Sequence, residues 1–204
     1  SLKSVLIPLE KLYMPCYVLN SIEKDIPFAK KNNIIVWRGT NSGVNVNNKT
    51  RASRLTLVEK YYNHHLCDIG FTDMRYKNNT YNNNHDNYIK KTLSIDHQLK
   101  SKFIISVEGN DFSTNLLWIL LSNSIPICPL HVIETWTMET LLEPWVHYIP
   151  VKNDFSDLIV NYNRIINNSK LHDSILFNKK LFIANFLDRN KEMHIINKTI
   201  ETYF

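Results

Sequence analysis

Two short segments of the chain bring together residue types that suit an anion. In VWRGT, Arg38, Gly39 and Thr40 end an apolar run, and in EGNDFST, Gly109 separates another apolar run from a leucine-rich stretch. A guanidinium is a planar fork of five donors that matches phosphate oxygens. A glycine lets another group approach the backbone closely. A helix that starts nearby adds unpaired N–H groups and the positive end of its dipole. In the second segment Gly109 opens a turn, and Asn110, Asp111 or Ser113 caps the next helix or touches the ligand. Arg54 falls near the start of a helix, where a cation opposes the dipole, and that mild misfit suggests an anion close by, with solvent exposure as the other explanation. The competing reading pairs Arg38 with a carboxylate such as Glu108 and leaves Gly109 a purely conformational role. Neither GxxxxGK[ST] nor a complete GxGxxG occurs, which disfavours a Walker ATPase and a standard NAD enzyme.

Positioning these groups requires a scaffold, and the apolar periodicity supplies one. Residues 32–37 (NNIIVW), 102–107, SIPICPL and 146–150 read as short buried strands, with a further one in HLCDIG. Helices are expected over 51–62, with Leu55, Val58, Tyr61 and Tyr62 on one face, over 112–121, over 134–142, and through most of the chain after 154. Segment 77–91 has no apolar period and reads as a loop or insertion. Strands alternating with helices predict an α/β fold, a Rossmann-like, mostly parallel sheet with flanking helices. Gly39, Gly70 and Gly109 fall directly after predicted strands, at the rim where such sheets bind ligands.

With 204 residues, 44% of them hydrophobic, the chain can bury a proper core. No run approaches the roughly 18 apolar residues that span a bilayer, and the first residues have neither the charge nor the length of a signal peptide. The net charge of +5 is scattered, with no basic block or nucleic-acid motif, which argues against a nucleic-acid partner. Cys16, Cys67 and Cys128 are odd in number and lie in or beside apolar stretches, favouring a reducing compartment. No CxxC or HExxH proposes a metal, and His64 and His65 have no partner at ligand spacing. His147, between Val146 and Tyr148, reads as a core residue more readily than as a base. Trp118, Trp136 and Trp145 suit the core or a sugar platform, and Glu134 suits a helix cap or sugar hydroxyls.

The blocks VWRGT, RASRLTLVEKYYNHHLCDIGFTD, SIDHQLKSKFIISVEGNDFSTNLLWILLSNSIPICP and ETWTMETLLEPWVHYIPVKNDFSDL resemble glycosyltransferase family 90 in order and spacing, from about Ile34 onward. That family includes Rumi-type protein O-glucosyltransferases, fungal capsule-associated transferases and LpsA-type lipopolysaccharide transferases, the last being the nearest in detail. The resemblance implies the C-terminal, donor-binding half of a GT-B architecture. It also implies metal-independent, inverting transfer of a sugar, xylose or glucose, from a UDP-sugar to a glycan or protein hydroxyl, with no cofactor. By position, Arg38, Gly39, Thr40 and Arg54 match the family's phosphate-facing residues, Asp68 the nucleoside border, and Gly109 and Ser113 the diphosphate loop. Asn110, Asp111, Asn115 and Glu134 complete the expected donor set. Two departures stand out, because the Rumi-type branch has arginines where this chain has Glu108 and Asn115. The family's acceptor half, with its aspartate base, has no counterpart before residue 34, so no catalytic base is assigned. Residues 1–33 are then a remnant of, or link to, an acceptor-side half, and 34–204 the nucleotide-sugar domain. The other reading is a non-catalytic nucleotide-sugar-binding partner subunit. Either would work in the cytoplasm of a bacterium or virus-infected cell.

Overall fold

In a computed structural model the described residues are 16–43, 51–73, 85–135 and 137–203. Five strands, β1 (Asn32–Thr40), β2 (Cys67–Asp73), β3 (Ser101–Ile105), β4 (Ile125–Cys128) and β5 (Ile149–Pro150), form one sheet. Its order is β2-β1-β3-β4-β5, with every pairing parallel. Parallel neighbours need crossovers rather than tight turns. These carry α2 (Arg54–Tyr61) between β1 and β2, α3 (Ile95–Gln98) between β2 and β3, and α4 (Leu116–Leu121) between β3 and β4. Helix α1 (Cys16–Glu23) precedes the sheet, and α5 (Leu158–Ile166), α6 (Ser169–Ala184) and α7 (Arg189–Tyr203) follow it.

Strand alternation sorts the side chains onto two faces. Ile35, Trp37, Ile69, Phe71, Phe103 and Ile105 meet Leu57 and Val58 of α2 and Leu158 and Tyr162 of α5. On the other face Val36 and Ile104 meet Val18 of α1 and Trp118 and Ile119 of α4. Burial on both faces is why the strands read as continuous apolar runs such as IIVW and IPIC. Helix α6 locks onto α4 through Ile183 against Leu116 and Leu120. Its fully buried Lys179 donates to the carbonyls of Ile119, Leu120 and Ser122 at 2.8, 2.9 and 2.6 Å. The Leu120 and Ser122 carbonyls lie at the open end of α4, and the Ile119 carbonyl also accepts from the Ser122 N–H and hydroxyl. Burial and Lys180 pull the Lys179 pKa well down, yet three acceptors require three N–H donors, so the ammonium form satisfies the geometry.

Several elements differ from the sequence-based expectation. Strands β1 and β2 run through Gly39 and Gly70 instead of stopping before them. Helix α4 begins at Leu116 rather than Phe112. The Ser113 hydroxyl bonds Asn115 Oδ1 at 2.7 Å and Asn115 Nδ2 bonds the Ile105 carbonyl at 3.0 Å, so side chains hold this stretch in a turn. The helix expected over 134–142 is one 3-10 turn, Glu139–Leu141, led by Met138 at φ 50°. There the buried Glu139 carboxylate takes the Thr135 N–H and the Thr135 and Thr137 hydroxyls, which competes with helix formation. Of the expected loop 77–91, residues 77–84 lie outside the described residues, and His85–Tyr88 form a 3-10 turn. Within residues 16–33, Val18 is buried in the core and Lys31 forms a buried ion pair with Asp25. Among the described residues, no helix is long and apolar enough to cross a membrane.

Candidate functional site

In this strand order the chain leaves β1 towards β2 by α2 on one face and leaves β3 towards β4 by α4 on the other. The loops after β1 and β3 therefore diverge, and the crevice between them is where open α/β sheets bind ligands. A register shift at Gly39/Thr40 bends the end of β1 at this point. The two loops are stitched together, with the Gly43 N–H, in a residue at φ 82°, donating to Asn110 Oδ1 at 2.7 Å. A Cβ on Gly109 would lie 2.6 Å from Ser42 Oγ and 3.0 Å from Arg54 Cζ. Gly109 thus allows a guanidinium and a hydroxyl to lie directly against the backbone.

Arg54 is the first residue of α2, and its side chain turns back over the Trp37 ring, 5.8 Å from the centroid. Its Nη1 donates to Thr40 O at 3.2 Å and Ser42 Oγ at 2.6 Å, while Nη2 and Nε reach Val107 O at 2.9 and 3.3 Å. Every one of these acceptors is neutral. Among the described residues Arg54 pairs with no carboxylate. Burial, and then the charge of Arg51, pull its pKa down to about 10. Arg51 itself is compensated, with Glu108 3.3 Å away, and it also donates to Gly109 O at 3.0 Å. The Glu108 carboxylate further receives the Val132 and Ile133 N–H groups at 2.9 and 3.0 Å. The crevice therefore holds an uncompensated, half-buried cation, a costly arrangement that an anionic ligand relieves.

Arg38 does not share this place. It has the strand parity of Val36, so it lies on the face of the sheet opposite Trp37 and Arg54. Its Nη2 contacts both Asp68 carboxylate oxygens at 2.8 and 3.0 Å, Nη1 reaches Asp68 O and Trp37 O, and Nε reaches Lys91 O. All three guanidinium nitrogens are engaged by the protein, and the expected phosphate fork is a brace between β1, β2 and the segment before α3. Asp68, expected at the nucleoside border, is held by Arg38 and by Lys90 at 3.2 Å. The carboxylate partner is Asp68 rather than Glu108, because parallel register places residue 68 beside residue 36 on the same face.

Thr40 contributes its carbonyl to Arg54, and its hydroxyl bonds Ser42 at 3.3 Å. Asp111 caps its own neighbour, accepting from the Phe112 N–H at 2.8 Å, so it shapes the turn rather than the start of α4. Ser113 and Asn115 brace that turn as described. Glu134 is exposed and accepts from the Thr140 hydroxyl. His147 Nδ1 accepts from the Glu143 N–H at 2.9 Å and its ring packs on Phe182, which makes it part of a turn. Trp118 is core, Trp145 lies under the Arg164 guanidinium at 4.2 Å, and Trp136 lies outside the described residues. Sequence reasoning missed Arg51 and Ser42. The three-residue step from Arg51 to Arg54 in RASR was the available signal, whereas nothing in the sequence marked Ser42. It also missed Ser106 and His131, the only two among the described residues whose buried side-chain polar atoms have no partner. A wider cleft of about 470 Å³ near Asn20, Lys24, Ser94 and Asp96 carries no such orphan and lies at α1 and α3. Among the described residues, no three His, Cys, Asp or Glu groups cluster to hold a metal.

The chain is thus a doubly wound parallel α/β unit with a cationic crevice at its switch point, the place where such sheets bind ligands. The chain belongs to glycosyl transferase family 90, whose profile matches residues 9–203. It is 30% identical over 182 residues to O-glucosyltransferase LpsA of Dichelobacter nodosus, covering 88% of this chain and 52% of that protein. It is 29% identical over 167 residues to protein O-glucosyltransferase 1 of Rattus norvegicus, covering 79% and 39%. A crystal structure of a glycosyltransferase from Rickettsia africae superposes with a TM-score of 0.50 at 15% identity, over 94% of this chain and 52% of that one, and shares the fold. The chain spans about half the length, or less, of these curated relatives.

Proposed function

We propose that this chain binds the donor of a glycosyl transfer reaction, a UDP-sugar, with its diphosphate in the crevice between the β1 and β3 loops. The observation that carries this is the half-buried Arg54 guanidinium, held against Gly109 with only neutral acceptors. In the reaction, the bond between the anomeric carbon and the diphosphate breaks as an acceptor hydroxyl attacks from the opposite face, with inversion. The acceptor's proton passes to a base that we do not assign. Charge grows on the departing diphosphate, and a preorganised cation beside it stabilises that change without a metal. Ser42, whose oxygen accepts from Arg54, keeps a hydroxyl proton and would add a neutral donor.

Relatives named as O-glucosyltransferases support glucose as the sugar to test first, with xylose second, and support a lipopolysaccharide, glycan or protein hydroxyl as the acceptor. The buried free thiols Cys67 and Cys128 support a reducing compartment such as the cytoplasm. The test is a thermal-shift series with UDP, UDP-glucose, UDP-xylose and inorganic pyrophosphate, with and without chelator. The reading expects UDP species to stabilise the chain in the presence of chelator. No stabilisation by any of them would overturn it.

A further inference from the structure

Beside the Arg54 crevice, at the ends of β3 and β4, lies a notch of about 10 Å³ lined by Ala52, Ser106, Glu108, Ser113 and His131. That is room for one water-sized group. Ser106 is 2% exposed with an unpartnered Oγ, and His131 Nε2 is likewise buried and unpartnered. These are the two orphan buried side-chain atoms among the described residues, and both belong to residues of this notch. A buried polar atom without a partner costs stability, so two on one notch point to an absent ligand group. The His131 ring is fixed edge-to-face against the buried Tyr148, 5.5 Å between centroids, so it does not swing out to solvent at no cost.

The chemistry of the missing group follows from what lines the notch. A serine hydroxyl and a neutral imidazole can each donate or accept. Burial pushes the His131 pKa down, against the opposing pull of Glu108 and Glu139, which keeps the ring neutral near pH 7. A phosphate oxygen, an acceptor only, would face the Glu108 carboxylate here. An ammonium would find that carboxylate already bound by Arg51 and two backbone N–H groups. A hydroxyl, which both donates and accepts, suits two such orphans and a space of that size.

Resting on the donor reading above, the geometry points to Ser106 and His131 as positioning residues that bind one sugar hydroxyl of the donor. Glu108 lines the notch and precedes Gly109 in the crevice loop, so a ring attached to a diphosphate held there is within reach. Two rings carry such hydroxyls, the transferred sugar and the ribose, and the experiment separates them.

Calorimetric titrations of the unmodified chain, Ser106→Ala and His131→Phe with pyrophosphate, UDP and UDP-glucose test the inference, together with thermal melts of each free protein. Each variant should lose roughly two- to tenfold in affinity, the worth of one hydrogen bond, with pyrophosphate unchanged. A loss confined to UDP-glucose assigns the hydroxyl to the transferred sugar, and an equal loss for UDP assigns it to the ribose. Free Ser106→Ala should melt no lower than the unmodified chain, because an unsatisfied hydroxyl has been removed. If both nucleotides bind Ser106→Ala as tightly as the unmodified chain while its melting point drops, the notch holds a structural water and the inference is overturned. Equal weakening for pyrophosphate would overturn it as well. Failure of the unmodified chain to bind any of the three would instead sink the donor reading, and this inference with it. Ser106→Ala, the smaller change, carries the test if His131→Phe does not fold.

Discussion

Replacing Arg54 by methionine separates its charge from its packing. At a UDP concentration of about 100 times Kd, mass action stabilises the unmodified chain by about 2.7 kcal/mol. For a domain of this length that raises the melting temperature by roughly 5–10 °C. Losing one charge-assisted hydrogen bond to phosphate costs about 2 kcal/mol, close to 30-fold in Kd by the usual conversion. The same UDP concentration then stands only about threefold above Kd and yields about 0.8 kcal/mol, a shift of roughly 2–3 °C. In the free protein two effects oppose each other. The Thr40 and Val107 carbonyls lose their donor, while the cost of an unpaired cation disappears. A guanidinium pulled down from its ordinary range to about 10 corresponds to about 3 kcal/mol, which partial exposure reduces to about 2. Free Arg54→Met should therefore melt within a few degrees of the unmodified chain. Arg38→Met is the contrasting variant. It leaves Asp68 with Lys90 alone and removes the donor to three backbone carbonyls, so the free protein should lose about 1–3 kcal/mol while keeping its UDP shift. Differential scanning fluorimetry with and without UDP reads all four quantities. A full UDP shift in Arg54→Met, or its loss in an undamaged Arg38→Met, would refute the assignment.

Three other perturbations follow from the packing. Gly109→Ala places a methyl 2.6 Å from Ser42 Oγ and 3.0 Å from Arg54 Cζ, which displaces the guanidinium. UDP affinity measured by calorimetry should drop by at least about tenfold, with a circular dichroism spectrum like that of the unmodified chain; unaltered affinity would show that the crevice tolerates a filled Gly109. Lys179→Met leaves the carbonyls of Ile119, Leu120 and Ser122 without their buried donor, so urea unfolding should report a loss of about 2–4 kcal/mol. A midpoint equal to that of the unmodified chain would mean water or backbone adjustment replaces the ammonium. For Asp68, burial raises the carboxyl pKa, but the hydrogen bonds and charges of Arg38 and Lys90 outweigh it and hold the pKa below 3.8. A carboxyl depressed on folding contributes stability above its unfolded pKa and loses it as pH falls through the folded one. Asp68→Asn should be less stable at pH 6 and show a shallower decline in urea midpoint below about pH 4; parallel curves would contradict this.

The alternation of short apolar runs with amphipathic segments was enough to read the parallel α/β sheet, because strands buried on both faces leave little choice of residue. The order of strands, and with it the switch point, was not legible, since neighbouring parallel strands are joined through crossovers that leave no local mark. The failure at α4 has a specific cause. Leucines at helical spacing set where a helix packs, but Ser113 and Asn115 bond to each other and to Ile105 O, and they delay its start by a turn. The same competition by Thr135 and Thr137 for Glu139 removed the helix expected over 134–142.

The two arginines show where sequence reasoning about a site reaches its end. Arg38 was the stronger phosphate candidate from the sequence and Arg54 a secondary one, yet residue type could not divide them, because what matters is whether a carboxylate has already taken the charge. Register decides that. Arg38 and Asp68 share a face of adjacent parallel strands two residues out of step, so the aspartate reaches the guanidinium across the pair. Arg54 starts a helix on the other face and extends into a crevice lined by carbonyls and a hydroxyl, and the Glu108 carboxylate of the crevice loop is already engaged by Arg51. The misfit of a cation at a helix start, visible in the sequence, falls on the arginine that has no carboxylate partner among the described residues. A residue that opposes its local dipole without a compensating partner needs something else to balance it, and the free charge at this rim calls for an anion.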